Sequence, residues 1–287
     1  MSRRNNRKRE GAVGAILAFP DGILTLCCFA VPLVVIVLYS FWKIDLTTFT
    51  VTTNWNLGNY GDIFKSIYLQ ALLRSILITL ATVVGCLLLG LPIAYFIASC
   101  KGKLQLLMIG AIVIPFWTSF VVRTYAWLEL LGAHGVITQA LVHMHLVADG
   151  TDLRYSTTAV IIGMVYSYLP MMILPVYSTF EQLDQPLLEA AADLGKTPSQ
   201  AFFQIVMPSC GGGIVAGSLL VAIPALGEYT IPAILGGSKT LMIGNVIASE
   251  FQTTGNYPRG AALSSVLMVA VLLIIIGKQI MQWRKVR

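Results

Sequence analysis

Charge is what this sequence of 287 residues lacks most. Only 11% of its residues are Asp, Glu, Lys or Arg, against about 25% in a soluble domain, while 56% are hydrophobic. That balance excludes an ordinary soluble fold. The alternating segments of about ten residues that mark a transmembrane β-barrel are also missing. Cysteine is sparse: Cys27, Cys28, Cys86, Cys100 and Cys210 all lie in or beside apolar stretches. A disulfide framework is therefore not expected, and no CxxC metal pattern occurs; small buried apolar side chains are the plain reading. A G-x-x-x-x-G-K-[ST] loop is absent as well. Gly236-Gly237-Ser238-Lys239-Thr240 comes nearest, but a serine stands where the loop needs its glycine, and no strand precedes it.

What is present is a series of apolar windows of about 20 residues or more, each able to cross a hydrocarbon core as a helix. We expect spans at about 16–42, 69–100, 104–131, 157–180, 211–235 and 258–283. The fold class is thus an all-α membrane protein with six transmembrane helices. Pro92 is expected to kink the second span, and Pro32, Pro170 and Pro175 need neighbouring helices to satisfy the carbonyls they free. Gly213-x-x-x-Gly217 permits close packing by the fifth span. The external segment 236–257 includes an apolar run, 241–251, that reads as a short helix, and the external loop 132–155 holds all three histidines.

Most of the basic residues fall on one side of this plan. Arg3, Arg4, Arg7, Lys8 and Arg9 open the chain, Lys101 and Lys103 follow the second span, Lys196 lies between the fourth and fifth, and Lys278, Arg284, Lys285 and Arg287 close it. By the positive-inside rule both termini are cytoplasmic. The Arg3–Arg9 run sets topology beside a span and does not call for nucleic acid. The first apolar stretch is too long for a signal-peptide h-region and no A-x-A site follows, so it reads as an uncleaved span. The expected organisation is a basic cytoplasmic N-terminus (1–15), a first transmembrane helix with an external segment (16–68), a core of five transmembrane helices (69–283) and a cytoplasmic C-terminus (284–287).

The longest polar break on the inner side, 181–210, is built as two helix starts around a bend. Asp184 suits an N-cap and Pro186 the first turn. Leu187, Leu188, Ala190, Ala191 and Leu194 give a short amphipathic helix, which Gly195 can end in the left-handed conformation. Thr197-Pro198-Ser199-Gln200 then reads as a capping box opening a second helix, with Phe202, Phe203, Ile205 and Val206 on its apolar face. One reading is a turn that packs on the bundle; the other is a surface helix with a face left for a partner.

The spacing Glu189-Ala190-Ala191, Gly195, Ile205, Pro208 resembles the EAA loop of binding-protein-dependent ABC import permeases. Lys196 and Met207 depart from the usual Ala after the glycine and Leu before the proline, without changing the spacing. The resemblance implies the type I ABC importer permease fold with a cytoplasmic coupling helix, in the bacterial inner membrane. It implies that Glu189, Ala190, Ala191, Gly195, Phe202, Ile205 and Pro208 form or support the contact with an ATP-binding subunit dimer. ATP and Mg would be bound there, leaving this chain non-catalytic and without a cofactor. A second homologous permease and a periplasmic or lipid-anchored solute-binding protein would complete the machine.

Candidates for the pathway lie in the outer half of the spans. Glu129 follows Trp117, Tyr125 and Trp127; Glu228 and Tyr229 lie in the fifth span; Tyr166 and Tyr168 lie in the fourth. A carboxylate in a span costs about 2.5 kcal/mol or more, so it is a functional candidate by default, and a cation among carboxylates and aromatic faces gains ion pairing and cation–π contact. A linear polyamine suits such a lining. Other readings stand beside this: Tyr125 and Trp127 as interfacial belt residues, Glu129 in water at a span end, and Glu228 paired with Arg123. His143-x-His145 lacks a third metal ligand, so no metal site is expected. The stretches 115–119, 123–127, Gly227-Glu228-Tyr229-Thr230-Ile231-Pro232 and Met242-Ile243-Gly244-Asn245 resemble the spermidine/putrescine permeases. That resemblance implies polyamine import; relatives of this architecture carry an opine or amino-acid derivative, ferric ion or sulfate instead. An intramembrane enzyme using Glu228 or His143 is the alternative of a different class.

Overall fold

A computed structural model describes residues 22–45, 48, 50–183, 195–197, 200 and 202–285. The Arg3–Arg9 run, the first helix expected in the inner loop and its Glu189, Ala190 and Ala191 lie outside the described residues. The chain forms two compact units, one spanning Ser66–Val246, the other made of the described parts of Met1–Lys65 and Ile247–Arg287.

In the second of these, α1 (Gly22–Ser40) is long and apolar enough to cross a membrane, and large side chains such as Leu26 and Phe29 are exposed along it, as a lipid-facing helix requires. An antiparallel hairpin follows, β1 (Lys43–Asp45) with β2 (Thr50–Thr52), in the register Ile44 opposite Val51. Helix α2 (Gly58–Asp62) is held against its start by Asn59, whose Nδ2 donates to the carbonyls of Ser40 and Trp42 at 2.9 and 2.8 Å. Asp62 bridges Lys65 at 2.7 Å and Arg259 at 3.0 Å; Arg259 lies in α10 (Tyr257–Lys285), the last spanning helix.

The larger unit is built on three helices. α3 (Ser66–Ser99) runs on through Pro92, α7 (Thr157–Glu181) through Pro170 and Pro175, and α8 is Gly211–Leu226. Their buried residues, among them Cys86, Ala94, Met164, Met172, Val176 and Val221, form one core. Small residues set the approach of α8 to α7. A Cβ on Gly213 would stand 2.8 Å from the Pro175 carbonyl, and one on Gly217 would stand 2.9 Å from Met172 Sδ, so the expected close packing of this pair is realised. Gly85 and Gly90 of α3 lie similarly against Val165 and Met172.

Among the described residues four helices are each long and apolar enough to span, and the number is six if each of two bent pairs is one span. A bend in the third span and an interruption in the fifth correct the sequence reading, which ran each as one continuous span. The third is α4 (Lys103–Val113) with a 3-10 turn over Ile114–Trp117, then α5 (Phe120–Leu130), bent by 98°. Pro115 sits at the head of the 3-10 turn and Thr118 is extended (φ −79°, ψ 152°). Thr118 Oγ1 and the Thr118 amide both donate to the Pro115 carbonyl, at 2.6 and 3.3 Å, closing the turn at the break. The fifth stops at Leu226 and resumes as a π-helical turn, Pro232–Gly236. The external loop also contains a helix the reading did not place, α6 (Val136–His143). The short helix expected at 241–251 is α9 (Ile243–Gln252).

Candidate functional site

The break in the fifth span is stabilised by one side chain. Glu228 Oε1 accepts from the amides of Thr230 (2.7 Å) and Ile231 (3.3 Å), and its Oε2 accepts from Tyr168 Oη of α7 at 2.6 Å. A carboxylate placed just ahead of a helical turn caps its free amides. Pro232 opens the turn, where a missing N–H costs nothing. Tyr168 is 6% exposed, so the pair is drawn in from opposite elements and anchored.

The same break is clamped from α9. Asn245 Nδ2 donates to the Tyr229 carbonyl at 2.8 Å, and Asn245 Oδ1 accepts from the Met242 amide at 3.2 Å. Gly244 lies so close that a Cβ there would stand 2.5 Å from the Gly227 carbonyl. Ile243 in turn donates its amide to Ser75 Oγ of α3 at 2.7 Å. Two stretches that look independent in the sequence, 227–232 and 242–245, are therefore one structural unit. Asn245 and Ser75 were not among the expected site residues; the amide side chain beside a glycine in an apolar run was the only local signal.

The other pathway candidates divide. Trp127 of α5 meets Tyr166 of α7 edge-on, with ring centroids 5.2 Å apart. Tyr166 and Tyr168 are two apart on a helix and point to different faces, so this aromatic pair and the Glu228 pair are separate. Trp117, Tyr125, Glu129 and Tyr229 are exposed. Arg123 lies over the Phe116 ring, 4.4 Å from its centroid, with Phe120 at 5.8 Å. Its Nε and Nη1 are buried with no hydrogen-bond partner among the described residues, while the Glu228 carboxylate is held by Tyr168 and backbone amides. The two charges thus have separate environments in this conformation.

In the inner loop, Gly195 adopts φ +76°, the left-handed conformation expected of it. The capping box is formed: the Thr197 amide donates to Gln200 Oε1 at 3.0 Å, and the Gln200 amide to Thr197 Oγ1 at 3.4 Å. Lys196 Nζ donates to Gln204 Oε1. The chain then continues as a π-helical turn, Phe202–Val206, and a short helical turn, Met207–Ser209. Phe202 packs against the core, while Phe203 is 63% exposed. Ser209 Oγ donates to the Ile205 carbonyl at 2.7 Å, and Pro208 lies within the helical turn.

Helices long and apolar enough to cross a membrane, packed on a three-helix core, define a multi-pass membrane protein. The comparisons sharpen that class. Residues 90–283 match the family described as binding-protein-dependent transport system inner membrane component. The spermidine/putrescine transport system permease protein PotB of Salmonella typhimurium (strain SL1344) is 37% identical over 266 residues, covering 93% of this chain and 91% of that protein. PotB of Haemophilus influenzae is 40% identical over 217 residues, 76% of each chain. The crystal structure of a bacterial ABC transporter involved in the import of the acidic polysaccharide alginate contains a chain of the same fold, with a TM-score of 0.68, 18% identity and 99% coverage of both chains. The chain belongs to the binding-protein-dependent inner membrane component family, and is a permease subunit of an ABC importer.

Proposed function

We propose that this permease imports polyamines, putrescine or spermidine, across the inner membrane. The observation that carries this reading is the likeness to the PotB permeases over most of the chain. The chemistry of the broken span supports it. Glu228 offers a carboxylate held at a break in a span, where an ammonium group gains far more from a fixed anion than it would in water. Trp127 and Tyr166 offer aromatic faces for the methylene and ammonium groups. Tyr125, Glu129 and Tyr229, exposed in this chain, suit a lining completed by a second, homologous permease.

The energy would come from elsewhere. A dimer of ATP-binding subunits, holding ATP and Mg, would engage the inner loop through Glu189, Ala190, Ala191 and the turns supported by Gly195, Phe202, Ile205 and Pro208. A periplasmic or lipid-anchored solute-binding protein would deliver the substrate. Both termini would be cytoplasmic, as the distribution of Lys and Arg requires. The test is uptake of labelled putrescine and spermidine by proteoliposomes holding the complete complex. ATP-dependent accumulation of either is expected. Transport of a different solute, such as an opine, ferric ion or sulfate, with neither polyamine carried would refute the substrate. Turnover of a substrate by the purified chain without ATP would refute transport.

A further inference from the structure

We infer that Tyr95 and Phe202 form the joint through which the inner loop moves α3 together with α7, and that Tyr95 is a positioning residue for energy coupling. The inference rests on the reading of that loop as the ATPase contact.

The loop is continuous with α7 at its start and, through the segment Phe202–Ser209, with α8 across a 61° bend at its end. Neither covalent joint reaches α3. That connection is made of rings. Phe202 meets Tyr95 of α3 edge-on, with centroids 5.2 Å apart and planes at 79°; Tyr95 in turn meets Phe180 of α7 edge-on, at 5.7 Å and 81°. Phe180 is 6% exposed and Val206, four residues after Phe202, is 1% exposed, so both ends of the chain of rings are fixed in packed structure. At the loop side, the Thr197–Gln200 box and the Lys196–Gln204 contact tie the turns together. A displacement applied to the loop therefore meets Tyr95 as a solid contact. Interlocked edge-to-face rings resist sliding better than aliphatic contacts, because the ring edge is attracted to one face in one orientation. α3 and α7 also carry Ser75, which accepts from the Ile243 amide of α9, and Tyr168, which donates to Glu228. Tyr95 is thus placed where motion of the loop can be passed toward the site.

The experiment uses the reconstituted complex of both permeases, ATPase and binding protein, and measures ATP hydrolysis and polyamine uptake together. Tyr95→Ala should keep the rate of hydrolysis and lower uptake per ATP by about ten-fold, the scale on which a coupling contact acts; Phe202→Ala should lower uptake per ATP to a similar extent. The double variant should be no worse than either single one, since both remove one joint. Tyr95→Phe keeps the ring and should restore coupling. Phe202→Leu keeps apolar bulk, so uncoupling in that variant at unchanged thermal stability separates the role from loss of fold. Normal coupling in Tyr95→Ala, or independent losses that multiply in the double variant, overturns the inference. Loss of the ATPase from purified Phe202→Ala complexes also overturns it, making Phe202 a docking contact. Failure of the unsubstituted chain to retain any ATPase would instead overturn the loop reading itself, and this inference with it.

Discussion

Tyr168 and Glu228 lie sixty positions apart and meet through a hydrogen bond of 2.6 Å from the tyrosine hydroxyl to the carboxylate. The other carboxylate oxygen caps the turn that follows. Charge and architecture are therefore joined in one side chain, and two substitutions separate them. Glu228→Gln keeps an oxygen for the two amides and a polar group opposite Tyr168, but removes the charge. It should leave the purified complex intact and reduce polyamine uptake by about ten-fold or more, as expected where an ammonium loses a desolvated counter-ion. Glu228→Ala should also destabilise the permease, by about 1 kcal/mol for the lost cap. Uptake assays and thermal unfolding in detergent distinguish the two; unchanged uptake in Glu228→Gln removes that residue from the pathway.

Tyr168→Phe removes the buried donor and keeps the ring. The carboxylate oxygen it leaves behind loses its partner, a cost of about 1–3 kcal/mol. The midpoint of thermal unfolding should fall, and uptake should fall with it, because the break would be held on one side only. A variant with unchanged stability would show that water replaces the hydroxyl without loss.

Close packing of α8 on α7 makes a sharper stability prediction. At Gly213 an added methyl would stand 2.4 Å from Thr179 Oγ1 and 2.8 Å from the Pro175 carbonyl, whereas at Gly212 nothing lies within 4 Å. Gly213→Ala should cost about 1–3 kcal/mol through overpacking against backbone. Gly212→Ala should be neutral or slightly stabilising. Equal unfolding temperatures for the two variants would mean that the helices part easily.

These contrasts show where sequence reasoning reached and where it stopped. Gly213 and Gly217, the left-handed Gly195 and the Thr197–Gln200 box were legible because each depends on residues a few positions apart. The spans were legible as apolar runs, since hydropathy sums along the chain. That summation is also why the bends were missed: a window over 104–131 is equally apolar whether or not the chain turns by 98° at Thr118. The break at 227–231 depends on Asn245 and Tyr168, which no local pattern connects to Glu228. Pairing of Glu228 with Arg123 was open for the same reason, and was decided by geometry that places the guanidinium over Phe116.

Asp62 gives a pH dependence outside the membrane spans. Its hydrogen bond from Lys65 lowers its pKa from the ordinary value of 3.8; the positive charges of Arg259 and Lys65 act in the same direction, while burial opposes them. A carboxylate with a lowered folded-state pKa contributes stability that is complete above its unfolded value and lost as pH falls through the folded one. Asp62→Asn should therefore be less stable than the unsubstituted chain at neutral pH. The difference should shrink only below about pH 4, where the unfolded carboxylate begins to take up its proton. Unfolding temperatures of both proteins measured from neutral pH downward would show this; a gap that closes well above that pH would assign the dependence to another group.

Gly195 offers the most direct test of the inner loop. Its φ of +76° lies where proline, locked near −65°, has no accessible conformation. Gly195→Pro must therefore redirect the chain between Glu189-Ala190-Ala191 and the Thr197 box, while the spans, whose packing does not involve this residue, insert as before. Glu189→Lys reverses one charge in the same loop without altering the bend. In complexes that assemble with their ATPase, both variants should hydrolyse ATP and transport little. Gly195→Ala, strained by about 1–2 kcal/mol in the left-handed region, should fall between them and the unsubstituted chain. The graded order matters more than any single value, because a loop that transmits force should lose coupling in step with the distortion imposed on its bend. Normal uptake by Gly195→Pro would show that the bend has no part in transmission.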